Sequence, residues 1–165
     1  MELREQTIER VALFQGSFDP FTAGHESIVR RAMPMFDRIV VAVVYNVNKH
    51  GLLSVERRKQ LIESVFAGEP RVSVTSSTGL TVDLAREVGA TCLLRGVRSA
   101  ADFDYEQAMA QANRELSGGT LETVLLYTLP HLAHVSSSLV RELISYHRAI
   151  DSYMPSNWNR RLIEC

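Results

Sequence analysis

Apolar and polar positions come in blocks along the chain, and the blocks are of two kinds. Short runs rich in branched residues predict strands: ERVALFQ (9–15), IVVAVVYN (39–46), RVSVTSS (71–77), TCLLRG (91–96) and ETVLLYTL (122–129). IVVAVVYN is apolar almost without a break, the pattern of a strand covered on both faces in a parallel sheet. Between the runs lie segments with helical spacing: HESIVRRAMPMF (25–36), SVERRKQLIESVF (54–66), TVDLAREVGA (81–90), AADFDYEQAMAQANREL (100–116), SSSLVRELISYH (136–147) and PSNWNRRLIE (155–164). In the first of these Ile28, Val29, Ala32 and Phe36 share a side, and Pro34 kinks or shortens the helix. Ser54 suits an N-cap with Glu56 in the first turn, and Gly89 and Ser117-Gly118-Gly119 are helix stops.

The order β-α-β-α-β-α-β-α-β-α-α, with short connections, predicts an α/β fold. Its form is a Rossmann-like, doubly wound, five-stranded parallel sheet with helices on both faces. A chain of 165 residues predicts one domain, residues 1–165, with C-terminal helices from about 137 to 165 packed on the same core. Ligands of such sheets bind beyond the carboxyl ends of the strands, where the strand order reverses. Five loops therefore matter: 16–25, 46–53, 78–81, 95–102 and 128–138.

Composition narrows the functional classes. A hydrophobic content of 45% supports a real core, and 22% charged residues give an ordinary polar surface. The net charge of −1 supplies no broad positive field for nucleic acid or an anionic membrane, so neither is expected as a partner. Anion binding must then come from local groups, and most of the basic residues are Arg, the better bidentate phosphate ligand. Cys92 and Cys165 read as reduced thiols. No charged-then-apolar leader opens the chain, and no apolar run approaches the roughly 20 residues that span a bilayer. A cytoplasmic location is expected.

The loops carry the chemistry. GSFDPFTAGH (16–25) lacks the glycine spacing of dinucleotide and P-loop sites. It places Gly16 and Ser17 at a strand end and Gly24-His25 at a helix start, where free N–H groups favour an anion. Taken alone, Asp19-Pro20 makes it equally a structural turn. YNVNKHGLLS brings Lys49 beyond the second strand. LLRGVRSAADFDYE delivers Arg95 and Arg98 from the end of an apolar strand, and Arg98, Asp102 and Glu106 fall at i, i+4, i+8, one stripe on a helix. HVSSSLVREL puts three serines at a helix start that needs only one as a cap. His131 and His134 are spaced as metal ligands but have no Cys or carboxylate neighbour, which argues against a metal site.

Together, GSFDPFTAGH, NxNK, RGVRSAADFDYE and VSSSLVRE resemble the bacterial phosphopantetheine adenylyltransferases, in the same order over nearly the whole chain. These belong to the nucleotidyltransferases marked by [HT]-x-G-H, read here as Thr22-Ala23-Gly24-His25. The resemblance implies transfer of the adenylyl group of ATP to 4'-phosphopantetheine in coenzyme A biosynthesis. The products are 3'-dephospho-CoA and pyrophosphate, and Mg2+ accompanies the nucleotide. It further implies in-line attack without covalent intermediate or general base, dephospho-CoA or CoA as ligands, and a homohexamer. Apolar residues near Met33–Phe36 suit either such an interface or the core.

By matching motif positions, the resemblance implies that His25 stabilises the transition state, with Lys49 and Arg95 neutralising the incoming phosphate. ATP would be bound by Ser17, Phe18, His25, Gly96, Val97, Arg98, Glu106 and the segment Leu132, Ala133, His134, Val135, Ser136, Ser137 and Ser138. Phosphopantetheine would meet Ser17, Lys49, Leu80, Thr81 and Arg95. No protein side chain is assigned to the metal. Gln15 stands where the family usually has a strand-end proline, Ser17 replaces the usual threonine, and Leu132 falls where an aromatic residue is common. A sister nucleotidyltransferase with another phosphorylated acceptor, or a regulatory nucleotide-binding protein, would share the first motif; release of pyrophosphate from ATP and phosphopantetheine separates these readings.

Overall fold

A computed structural model describes residues 8–163. Strands β1 (Val11–Gly16), β2 (Arg38–Val44), β3 (Val72–Ser77), β4 (Cys92–Val97) and β5 (Glu122–Tyr127) alternate with helices α1 (Ala23–Ala32), α2 (Val55–Val65), α3 (Thr81–Val88) and α4 (Ala100–Leu116), and α5 (Ser137–Ser145) follows. The strands form one parallel sheet in the order β3-β2-β1-β4-β5.

Strand periodicity explains how two helical layers are held. Ala12 and Phe14 of β1, with Ile39, Val41 and Val43 of β2, join Ile28 and Val29 of α1, Leu61 and Ile62 of α2 and Val140 of α5 in one core. Val11 and Leu13, with Val40 and Ala42, face the other way and pack on Val82, Leu84 and Ala85 of α3. The unbroken apolar run of β2 is thus consumed on both faces. Helix ends follow local chemistry: Ser54 Oγ accepts from the Arg57 amide at 3.3 Å, and α3 stops at Gly89 in the left-handed region (φ 73°). Before Pro34, α1 gives way to a 3-10 turn over Met33–Met35. Met33 is buried and Phe36 packs against the core, whereas Pro34 and Met35 are exposed, so this segment is divided between interior and surface.

One predicted element does not form. Of the helix expected over 155–164 only a 3-10 turn at Arg160–Leu162 is present, after another at Asp151–Tyr153, so the chain beyond α5 is not a further helix. Asn157 adopts φ 57°, which a right-handed helix excludes, while Trp158, Leu162 and Ile163 still pack against the core. Residues 164 and 165, including Cys165, lie outside the described residues.

The seam between β1 and β4 positions the site. β1 pairs with β2 over its whole length, from Val11–Arg38 to Gly16–Val43, but with β4 only at Ala12–Cys92 and Leu13–Leu93. Beyond Leu13 the two ladders part, and here the strand order reverses.

Candidate active site

The seam opens into a cavity of about 430 Å3 lined by β1 and its loop (Phe14 to Phe18, Thr22, Gly24, His25), by Arg95, Gly96, Arg98, Asp102, Tyr105 and Glu106, and by Val135 to Ser137. Three of the five loops named by the sheet rule converge there.

His25 is the third residue of α1, and its orientation is set locally. The Thr22 amide donates to Nδ1 at 3.0 Å, and the Thr22 hydroxyl lies 3.0 Å from the same nitrogen. The arrangement is a capping box in which an imidazole takes the place of the usual Glu or Gln. An Nδ1 that accepts must be unprotonated, so the neutral ring carries its proton on Nε2. Phe18 and Phe21 pack against the ring at centroid distances of 5.0 and 5.2 Å. Burial, with Arg95 and then Arg98 nearby, lowers the His25 pKa from 6.5 to about 4. At neutral pH His25 is therefore an uncharged N–H donor beside two cations, unsuited to taking a proton.

The two arginines are held differently. Arg95 grips Glu106 in a bidentate pair, Nε at 2.9 Å from Oε2 and Nη2 at 2.7 Å from Oε1, while Nη1 donates to the Gln15 carbonyl at 2.8 Å. That last bond takes over an acceptor where the β1–β4 ladder has ended. Since a guanidinium has five N–H groups, one on each terminal nitrogen remains for an anion. Arg98 pairs with Asp102 from its amide (2.9 Å) and Nε (3.2 Å), and the Asp102 carboxyl is held below its usual range mainly by that amide. The expected stripe is thus divided: Asp102 serves Arg98, whereas Glu106 turns to Arg95.

Each of the three serines has a structural partner. Ser136 is the N-cap and accepts from the Leu139 amide at 3.1 Å. Ser137 Oγ donates to the Pro20 carbonyl at 2.8 Å, tying α5 to the first loop. Ser138 Oγ accepts from Arg141 at 3.0 Å. What this helix start presents to an anion is its first backbone amides and dipole rather than three free hydroxyls.

Other expected residues lie apart. Exposed Lys49 lines a second cavity, about 600 Å3, which shares Ser17 with the first. Leu80 is exposed at 61%, whereas Thr81 accepts from Gln15 Nε2 at 2.6 Å beside the seam. Phe18 is buried with φ 47°, its ring beneath His25. Val97, Leu132, Ala133, His134 and Ser138 do not line the main cavity. His134 packs edge-on to Tyr153 at 5.9 Å.

Sequence reading missed what joins the two cavities. Asp19 accepts from the amides of Leu52 and Leu53 (2.7 and 2.8 Å) and pairs with Arg58 at 3.4 Å, both side chains being about 8% exposed. Arg58 also donates to the Leu53 and Ser17 carbonyls. Gly51 is required, because a Cβ there would overlap the Arg58 guanidinium. Asp19 reads as a turn residue and no local spacing singles out Arg58, because their partners are distant in sequence.

Comparison with known proteins agrees. The cytidylyltransferase-like family pattern matches residues 13–143. A phosphopantetheine adenylyltransferase of Porphyromonas gingivalis is 47% identical over 150 residues, 91% of this chain and 97% of that protein. One of Bacteroides thetaiotaomicron is 42% identical over 88% of this chain and 95% of its own length. Among solved structures, a putative nicotinate-nucleotide adenylyltransferase of Vibrio parahaemolyticus superposes with a TM-score of 0.67, at 16% identity over 89% of this chain and 87% of its own. At that identity the likeness concerns fold alone. The motifs, the parallel sheet with its open seam and the relatives agree: this chain belongs to the phosphopantetheine adenylyltransferase family of cytidylyltransferase-like nucleotidyltransferases.

Proposed function

We propose that the seam cavity transfers the adenylyl group of ATP to 4'-phosphopantetheine, giving 3'-dephospho-CoA and pyrophosphate. The observation that carries this reading is the neutral His25, whose Nδ1 is occupied by Thr22 and whose Nε2–H is left for a ligand. The attacking group is a phosphate monoester, largely dianionic near neutral pH because its second pKa is about 6, so no protein base is needed. Its oxygen attacks the α-phosphorus in line, the bond to the pyrophosphate oxygen breaks, and no covalent enzyme intermediate forms. Nε2–H of His25 donates to the α-phosphoryl oxygen as charge grows there. Arg95, already oriented by Glu106 and the Gln15 carbonyl, offers its remaining N–H groups to the acceptor phosphate. Arg98 and the start of α5 stabilise the nucleotide phosphates.

Lys49 reaches the acceptor phosphate from the second cavity, its loop anchored by Asp19 and Arg58. Among the described residues no three His, Cys, Asp or Glu side chains are grouped to hold a metal, and the cavity carboxylates Asp102 and Glu106 are engaged by arginines. No protein side chain is assigned to Mg2+; bound with the nucleotide, it would neutralise charge on the leaving pyrophosphate.

The expected hexamer draws support from α4, where Phe103, Tyr105, Met109 and Leu116 are each at least 39% exposed, although Tyr105 and Met109 also line the cavities. A buried free Cys92 fits a reducing, cytoplasmic setting. The direct test is pyrophosphate release from ATP and phosphopantetheine with Mg2+; no release overturns the reading, and preference for CTP or another phosphorylated acceptor redirects it. Arg95→Ala is expected to raise KM for phosphopantetheine at least tenfold more than KM for ATP. The reverse pattern would exchange the two subsites.

A further inference from the structure

The side chain of Gln15 has an unmet hydrogen-bonding need. It ends in a carboxamide at the open seam, in the odd register of β1 that faces α3, together with Val11 and Leu13. Nε2 is committed to Thr81 Oγ1 at 2.6 Å, and the backbone carbonyl is taken by Arg95 at 2.8 Å. Oε1 is buried with no hydrogen-bond partner among the described residues. Buried polar atoms in native proteins are satisfied with few exceptions, and an exception inside a ligand cavity calls for a partner that comes with the ligand.

The surroundings say which ligand. Gln15 lines both the main cavity and a narrow one of about 100 Å3 that continues past Arg95 and Glu106 between β4 and α4, along Leu93, Tyr105 and Met109. The narrow cavity leaves the point where Arg95 would hold the acceptor phosphate, on the face of the sheet that carries Thr81 and away from α1 and α5. The cavity, lined also by Asn113 and Thr123, has room for part of an arm attached to that phosphate, and the arm of phosphopantetheine carries two secondary amides. Nε2 already donates to Thr81, so the free edge of Gln15 is an acceptor and its complement is an N–H.

We propose that Gln15 Oε1 accepts a hydrogen bond from an amide N–H of the pantetheine arm, making Gln15 a specificity-determining residue for the acceptor substrate. The inference rests on the adenylyltransferase reading above.

The test is a cycle between protein and substrate. Replacing each amide of phosphopantetheine in turn by an ester removes the N–H and keeps the shape. With the native enzyme, one of the two esters is expected to lose about tenfold in kcat/KM. With Gln15→Leu, amide and ester are expected to be used equally, with KM for ATP unchanged. The melting temperature of Gln15→Leu is expected to stay level or rise, because an unsatisfied buried acceptor is removed. Equal use of both esters and the amide by the native enzyme overturns the proposal, as does unchanged discrimination in the variant. A fall in melting temperature with unchanged KM would make Gln15 structural and also overturn it. No pyrophosphate release by the native enzyme with any of these acceptors would instead refute the adenylyltransferase reading itself.

Discussion

The two flanks of β1 are built to opposite ends. Toward β2 the strand is paired along its whole length, and most side chains on both faces of that joint are apolar and buried. Toward β4 the ladder stops after Leu13, and the space it leaves is filled by Gln15, Arg95, Glu106 and, at the mouth, His25. One flank is apolar except near its ends, where Arg38 opposes Val11 and Gln15 opposes Ala42. The other gives up backbone pairing and uses side-chain bonds, such as Arg95 to the Gln15 carbonyl, to hold charged groups at the edge of the core. A parallel sheet whose order reverses at one joint obtains stability and a ligand crevice from a single strand.

The contrast predicts that substitutions on the two flanks have separable effects. On the apolar side, Ile39→Ala, at a position 1% exposed, should cost about 2–5 kcal/mol of stability in denaturant unfolding, with kcat of the folded fraction unchanged. A variant that melts normally would mean that the joint is not what holds the sheet. On the open side, His25→Ala should lower kcat about 10²–10³-fold with little change in ATP affinity, since its donor acts mainly in the transition state. Near-normal turnover would remove His25 from its role.

The acid sensitivity of the fold should also trace to the open side. His25 holds its proton only below about pH 4 in the folded protein but near 6.5 when unfolded. Acid therefore favours the unfolded chain: the stability tied to neutral His25 is complete above about pH 6.5 and declines as pH falls toward 4. With allowance for the partial exposure of the ring, its size is about 1–3 kcal/mol. His25→Ala should flatten unfolding free energy across this window. Asp37, whose carboxyl Arg10 holds down at about 2 from 3.8, loses its stabilising effect only at lower pH and does not obscure it.

The smallest change is expected at Arg98. Its pair with Asp102 is solvent-exposed, so Arg98→Ala should cost no more than about 1 kcal/mol of stability while weakening ATP binding several-fold. A stability loss comparable to that of Arg95→Ala would show that the two pairs are not distinct in kind.

Much of this architecture is legible in residue order. The apolar run of β2 announces a doubly covered strand, Gly89 a helix stop, and the alternation of elements a parallel sheet whose carboxyl ends hold the ligand loops. Periodicity and capping are local, so they survive without the fold. The PSNWNRRLIE segment shows the limit, because its apolar residues imitate helical spacing and pack on the core without forming more than a 3-10 turn.

The sequence by itself determined the strands and the five α-helices, whose formation depends on neighbours a few positions away. Only the tertiary structure decided that Glu106 serves Arg95 rather than Arg98, that Asp19 and Arg58 form a buried tie, and that the three serines are spent on other partners. The physical reason is the same in each case. A charged or hydroxyl group takes whichever partner lies within about 3 Å after folding, and contacts such as Ser137 to Pro20 or Gln15 to Thr81 join residues that spacing along the chain does not relate.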